Sequence, residues 1–103
     1  MFKIGQKEYE LKYTIKRVEL LERNLSEKSL MSLISKTGAA FSIGDLRVLL
    51  AFGLIEKGTN ATIDLGKAEE MTDKLFEKYV YTELCEAVFK QIRSDCAFFP
   101  LDA

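Results

Sequence analysis

Histidine is absent from the chain. With it goes the side chain most often used as a general base near neutral pH and most often found on a bound metal. The two cysteines, Cys85 and Cys96, form no CxxC pair, and without histidine they make no zinc site of the usual composition. They fall in one helical pattern, about 16 Å apart along an unbroken axis, which is too far for a disulfide. Two structural thiols in a reducing cytoplasm are the expectation. The six glycines are scattered and build no phosphate-cradling loop. A single proline, Pro100, and no low-complexity run leave no linker, so 1–103 reads as one domain. No apolar run reaches the roughly 20 residues that span a bilayer. The N-terminus enters an alternating pattern directly, so no signal peptide is expected. Sixteen acidic residues against 15 basic ones leave a formal net charge of −1, and no global field draws the chain to nucleic acid or anionic lipid.

What is present is organised around Phe41–Ile55, Phe-Ser-Ile-Gly-Asp-Leu-Arg-Val-Leu-Leu-Ala-Phe-Gly-Leu-Ile, apolar on nearly every side from Ile43 onward. Ser42 is a suitable N-cap, Asp45 stands at N3 beside the positive end of the helix dipole, and Phe41 and Leu46 occupy the hydrophobic-staple positions. A helix apolar all round is buried in protein or in lipid, and this one is too short for lipid and carries Arg47. It is expected to be a central core helix. Burial of Leu46, Val48, Leu49, Leu50, Phe52 and Leu54 would supply on the order of 10–15 kcal/mol of gross transfer free energy.

The flanking segments follow simple periodicities. Phe2, Ile4, Tyr9, Leu11 and Tyr13 alternate with charged residues around Gly5-Gln6, which predicts a β-hairpin over 1–13. Thr14 caps a predicted helix to about Leu25, with Ile15, Val18, Leu21 and Leu25 on one stripe; Lys16 and Arg17 in its first turn oppose the dipole. Ser26 is the expected cap of the next helix, which stops at Gly38. Gly58-Thr59-Asn60 reads as a turn. Thr62-Ile63-Asp64 leads into a helix with Ala68, Met71, Leu75 and Tyr79 on one face, and a last helix from about Thr82 carries Leu84, Cys85, Val88, Phe89, Ile92 and Cys96. The expected fold is mainly α: about five helices packed around the central apolar helix, with a small N-terminal β-hairpin, a helical core over 14–96 and an apolar tail over 97–103.

Candidate chemistry is thin. Asp64, Glu69, Glu70 and Asp73 cluster, but Lys67, Lys74 and Lys78 interleave with them as on a solvated helix face. Cys85 sits on an apolar stripe without a cationic neighbour to activate it. No catalytic, cofactor-binding or metal-binding residue is expected, and no small-molecule ligand. A helix ending at Gly38 followed by one from Ile43 has a helix-turn-helix layout. Arg47 is nearly its only base-reading side chain, and the net charge leaves no phosphate-binding surplus. A DNA-binding regulator is therefore the alternative function rather than the first. The features that favour association with protein are the apolar tail (Phe98, Phe99, Leu101) and the hairpin tyrosines Tyr9 and Tyr13, since exposed apolar patches and tyrosine mark interfaces.

A resemblance sharpens this. Phe2 to Lys16, Phe-Lys-Ile-Gly-Gln-Lys-Glu-Tyr-Glu-Leu-Lys-Tyr-Thr-Ile-Lys, resembles the opening of the tail assembly chaperones of long-tailed bacteriophages and prophages: a strand, a Gly-containing turn before a Glu-Tyr pair, then a helix. The blocks Leu30-Met31-Ser32-Leu33-Ile34, Phe41-Ser42-Ile43-Gly44-Asp45-Leu46 and Ala51-Phe52-Gly53-Leu54 resemble the same family in order, as does the ending around Asp95-Cys96 and Phe98-Phe99. The resemblance implies a mainly helical, non-catalytic protein of the host bacterial cytoplasm, absent from the finished virion. It implies binding of the tape measure protein, delivery of tail tube protein, and self-association. It also implies that a chain of this length is the shorter of two products related by a frameshift. A structural head–tail component of the virion is the remaining alternative.

Overall fold

The computed structural model describes residues 1–59, 61 and 63–99. Asn60 of the expected turn, Thr62 of the helix lead-in, and Pro100 and Leu101 of the tail lie outside them. Among the described residues the order is β1 (Phe2–Ile4), β2 (Lys7–Leu11), α1 (Ile15–Glu22), α2 (Leu30–Thr37), α3 (Ile43–Gly53), β3 (Leu54–Glu56), α4 (Leu65–Lys78) and α5 (Tyr81–Asp95). The protein is mostly helical, with one small antiparallel sheet of order β1-β2-β3.

The hairpin turns at Gly5, whose φ of +63° suits a residue without a Cβ, and pairs Phe2 with Tyr9 and Ile4 with Lys7. Its outer edge is not left open. The Lys3 amide donates to Tyr79 Oη at 2.9 Å, Lys78 Nζ donates to the Lys3 carbonyl at 2.7 Å, and the Phe2 and Tyr79 rings meet edge-on with centroids 5.3 Å apart. The C-terminus of α4 thus covers a strand edge that would otherwise invite pairing with another chain.

The largest departure from the sequence reading is at the end of α3. The helix stops at Gly53, and Leu54–Glu56, expected to continue it through Ile55, form a third strand on β2, with Leu11 opposite Leu54 and Tyr9 opposite Glu56. Tyr13 is the physical reason. It lies beyond the end of β2, with its ring against Gly53, where an added Cβ would come within 2.6 Å of Cζ. Its hydroxyl donates to the Leu49 carbonyl at 2.8 Å, and the Lys12 amide donates to the Gly53 carbonyl at 2.8 Å. The carbonyl end of α3 is thereby committed to the β2–α1 connection, and the chain leaves it extended to pair with β2. From that position α3 packs against α1, α4, α5 and β2.

A second correction concerns the cap of α2. Ser29, not Ser26, caps it, accepting from the Ser32 amide; α1 ends at Glu22 rather than near Leu25, and Lys28 turns the link at a φ of 59°. Ser26 is instead drawn to Asp45, nineteen residues on: its amide and hydroxyl donate to the two carboxylate oxygens at 2.9 and 2.7 Å. Asp45 is buried, and its own amide donates to the Ser42 hydroxyl at the α3 cap. Burial raises the Asp45 pKa, but the hydrogen bonds from Ser26 and Ser42 outweigh it and hold the carboxyl below its ordinary value. Gly38 ends α2 in the left-handed region, Thr14 and Ser42 cap α1 and α3, Asp64 caps α4, and α5 begins at Tyr81 without a side-chain cap.

Two predictions follow from these junctions. Gly53→Ala should lower unfolding free energy by about 1–3 kcal/mol, because the Tyr13 ring has to move. The cost should shrink in a Tyr13→Leu background if that ring is the obstacle, and urea denaturation of the four proteins of the cycle reads the coupling directly. Asp45→Asn should cost about 1–3 kcal/mol at pH 7 by breaking a buried charge-assisted pair of bonds. A carboxyl whose folded pKa is depressed contributes stability above its unfolded pKa and loses it as pH falls through the folded one. The gap between the native protein and Asp45→Asn should therefore narrow below about pH 4; a gap constant from pH 7 to pH 2.5 would place the stabilisation elsewhere.

Candidate protein-docking surface

The residues singled out for association do not converge on one surface. Tyr9 and Tyr13 are both buried, 8 % and 1 % exposed, with Tyr9 among the core side chains and Tyr13 wedged at the end of α3. Neither is available to a partner, because alternation placed both on the inner face of the hairpin and that face is covered by helices. Burial also pushes the Tyr13 hydroxyl well above the ordinary tyrosine pKa, with Cys96 and Asp95 adding to the shift. In the tail, Phe98 is 47 % exposed, Phe99 is half-buried against the core, and their rings lie 4.7 Å apart. Leu101 lies outside the described residues. Immediately before them Cys96 is buried, its thiol 3.6 Å from the Tyr13 carbonyl, and the Tyr13 amide donates to Asp95 Oδ2 at 2.9 Å. The end of α5 is thus tied to the same β2–α1 junction that stops α3.

Of the side chains proposed for the core, Leu46, Leu49, Leu50 and Leu54 are buried, whereas Val48 and Phe52 are only partly so. These two, with Ala51 between them, face a groove. Its walls are α1, through Leu20, the link after it, through Asn24, and the first turns of α4, through Leu65 and Glu69. Two adjoining depressions of about 220 and 90 Å³ share Ala51, Phe52 and Leu65. Leu20 and Leu65 stand at the rim, 43 % and 45 % exposed. Such a shallow, open and mainly apolar trough suits the side chains of another protein better than an enclosed small molecule. Sequence reasoning missed it because it is made by three helices at once. The one local sign was Leu20, a large apolar residue outside the Ile15–Val18–Leu21–Leu25 stripe.

Arg17 closes one end of the groove. It is buried, and its Nη1 donates to the Lys12 and Gly53 carbonyls at 3.0 and 3.4 Å. A cation at the carbonyl end of α3 is favoured by that helix's dipole, which accounts for a residue poorly placed in the first turn of its own helix. Burial draws its pKa down, and Tyr13 and Asp95 act against that; a guanidinium nevertheless stays charged.

Other chemistry is sparse among the described residues. No group of His, Cys, Asp or Glu there is arranged to hold a metal ion, and no helix there is long and apolar enough to cross a membrane. Both cysteines are free and buried, and burial, with Asp95 adding to it, pushes the Cys96 thiol up to about 11, away from reactivity. Asp64, Glu69, Glu70 and Asp73 are exposed along α4. The α2–turn–α3 pair offers little to DNA: Arg47 is taken by Asp73 and lies 5.4 Å from the Phe76 ring centroid, leaving Ile43 and Gly44 as exposed positions of α3. Comparison with protein families, with curated proteins and with solved structures finds no match to this chain.

The tail generates its own test. Removing everything from Cys96 onward should lower the thermal midpoint, because it deletes a buried thiol and the Phe99 contacts. Phe98→Ser should change stability by less than about 0.5 kcal/mol, as exposed substitutions generally do. Equal midpoints for the truncated and full chains would show that the tail is not part of the fold.

Proposed function

We propose that this protein is a non-catalytic tail assembly chaperone of a long-tailed bacteriophage or prophage, holding the tape measure protein soluble and helping to bring tail tube protein to it. The resemblance along the chain supports the family, and the observation that carries the mode of action is the open apolar groove over α3. A holdase for a long helical client needs a surface that shelters an apolar stripe and then releases it. Such a surface is small, apolar at its centre and rimmed by charge, and it binds with modest affinity rather than as an obligate interface. In this reading α3 is the central helix of the fold: its buried side anchors the core, and its remaining side, Val48, Ala51 and Phe52, is the floor of the binding surface. The protein acts in the host bacterial cytoplasm, is absent from the finished particle, and needs no cofactor.

Co-expression tests the proposal. The tape measure protein of the same phage or prophage is expected to be insoluble alone and soluble with this chain, and a tag on either is expected to recover both. A tape measure protein that still aggregates, with no complex recovered, would overturn the chaperone reading. Recovery of this chain from purified particles would instead make it a structural component.

A further inference from the structure

The occupant of the groove is constrained by charge as well as shape, an inference that rests on the protein-binding reading above. Arg17 spends only Nη1 on carbonyls, and among the described residues it forms no ion pair. Its Nε and Nη2 have no hydrogen-bond partner there, and no buried side-chain nitrogen or oxygen is left unbonded, so these donors keep some access to solvent; Arg17 is also one of the residues that line the groove. A nearly buried guanidinium with free donors at the end of an apolar trough is matched by a carboxylate, which its planar fork takes in two parallel bonds. The trough runs along α3 from Val48 to its end at Gly53, roughly 8 Å at helical rise, and on to Leu54, enough for about two turns of a helix laid against it. We propose that the groove receives an amphipathic α-helix of a partner chain, its apolar stripe over Val48, Ala51 and Phe52 and one Glu or Asp at the end of that stripe paired with Arg17.

A second copy of the chain fits less well. Only α1 among the described helices carries two exposed large apolar residues, Ile15 and Leu20, and a separation of five places them on different faces. No described helix of this chain therefore sets two exposed large apolar residues on one face for its twin.

Three synthetic 18-residue helical peptides test the inference, with leucines at i, i+4 and i+7 and, beside the last leucine, Glu, Gln or Lys. Fluorescence anisotropy with the full chain should rank them Glu, then Gln, then Lys, with about fivefold or more between the first two, as expected for a partly desolvated charge-assisted pair. Leu20→Ser/Leu65→Ser, two exposed positions, should weaken all three by roughly tenfold while the thermal midpoint stays close to native. Arg17→Gln should bring the Glu and Gln peptides together; if that variant does not fold, the peptide ranking on the native chain and the rim variant still decide. Equal binding of the three peptides, no binding, or no effect of the rim variant would overturn the proposal. So would a dimer in sedimentation that the rim variant dissociates, since a second copy would then hold the groove. Co-expression separates this from the broader reading: a rim variant that solubilises the tape measure protein as well as the native chain does would sink the groove and leave the chaperone standing.

Discussion

The structure depends on one contact, the Tyr13 side chain driven against the last turn of α3. The ring fits because residue 53 has no Cβ, and the hydroxyl is satisfied because the Leu49 carbonyl lies in reach. Neither partner works alone. A side chain at 53 would push the ring out, and a phenylalanine at 13 would lose the bond to that carbonyl. From this contact the rest follows in sequence. The helix ends, its next three residues join β2 as the third strand, and the sheet is fixed to the helices on one side. On the other side the Tyr13 backbone holds Asp95 and Cys96, so the ends of α3 and α5 meet at one junction.

Arg17 belongs to the same junction and resolves a local conflict through tertiary structure. In the first turn of α1 a cation opposes the helix dipole, an unfavourable choice taken by itself. At the carbonyl end of α3 the same cation is favourable, and it adds a hydrogen bond to the Gly53 carbonyl there, which the Lys12 amide also reaches. The side chain is therefore a capping group for a helix other than its own. Burial of a guanidinium without a direct ion pair is still costly in general, and here the α3 terminus, the nearby Asp95 carboxylate and the remaining access to solvent offset that cost.

How much of this was legible in the sequence depended on range. Caps at Thr14 and Ser42 and the stop at Gly38 are written within four residues of where they act, and the mostly helical content with an N-terminal hairpin followed from periodicity. Ser26 looked like a cap because it precedes an apolar run, but its fate was decided by Asp45, nineteen residues away in another helix. Leu54 and Ile55 looked helical because they continue an apolar run, yet β2 had an open edge and Tyr13 blocked the helix. Tyr9 and Tyr13 read as interface residues by type, whereas alternation alone already put them on the inner face. The groove could not be read from any one segment, since Leu20, Phe52 and Leu65 come from three helices. What the sequence did carry was a large apolar residue out of phase at position 20.

The incomplete covering of α3 is best understood as a consequence of its composition and of the shortness of its neighbours. A helix apolar on nearly all sides requires cover all round, and α1, with eight residues, supplies only two turns of it. The sheet, α5 and α4 cover the rest, so Val48 and Phe52 stay half open on either side of the buried Ala51. Filling it with a longer α1 would raise stability by further apolar burial. It would also abolish the surface. A protein whose proposed task is to hold and release an apolar helix has to leave such a strip uncovered, small enough that the free protein stays folded and apolar enough that a client stripe prefers it to water. The charge at its end then sets which stripe fits.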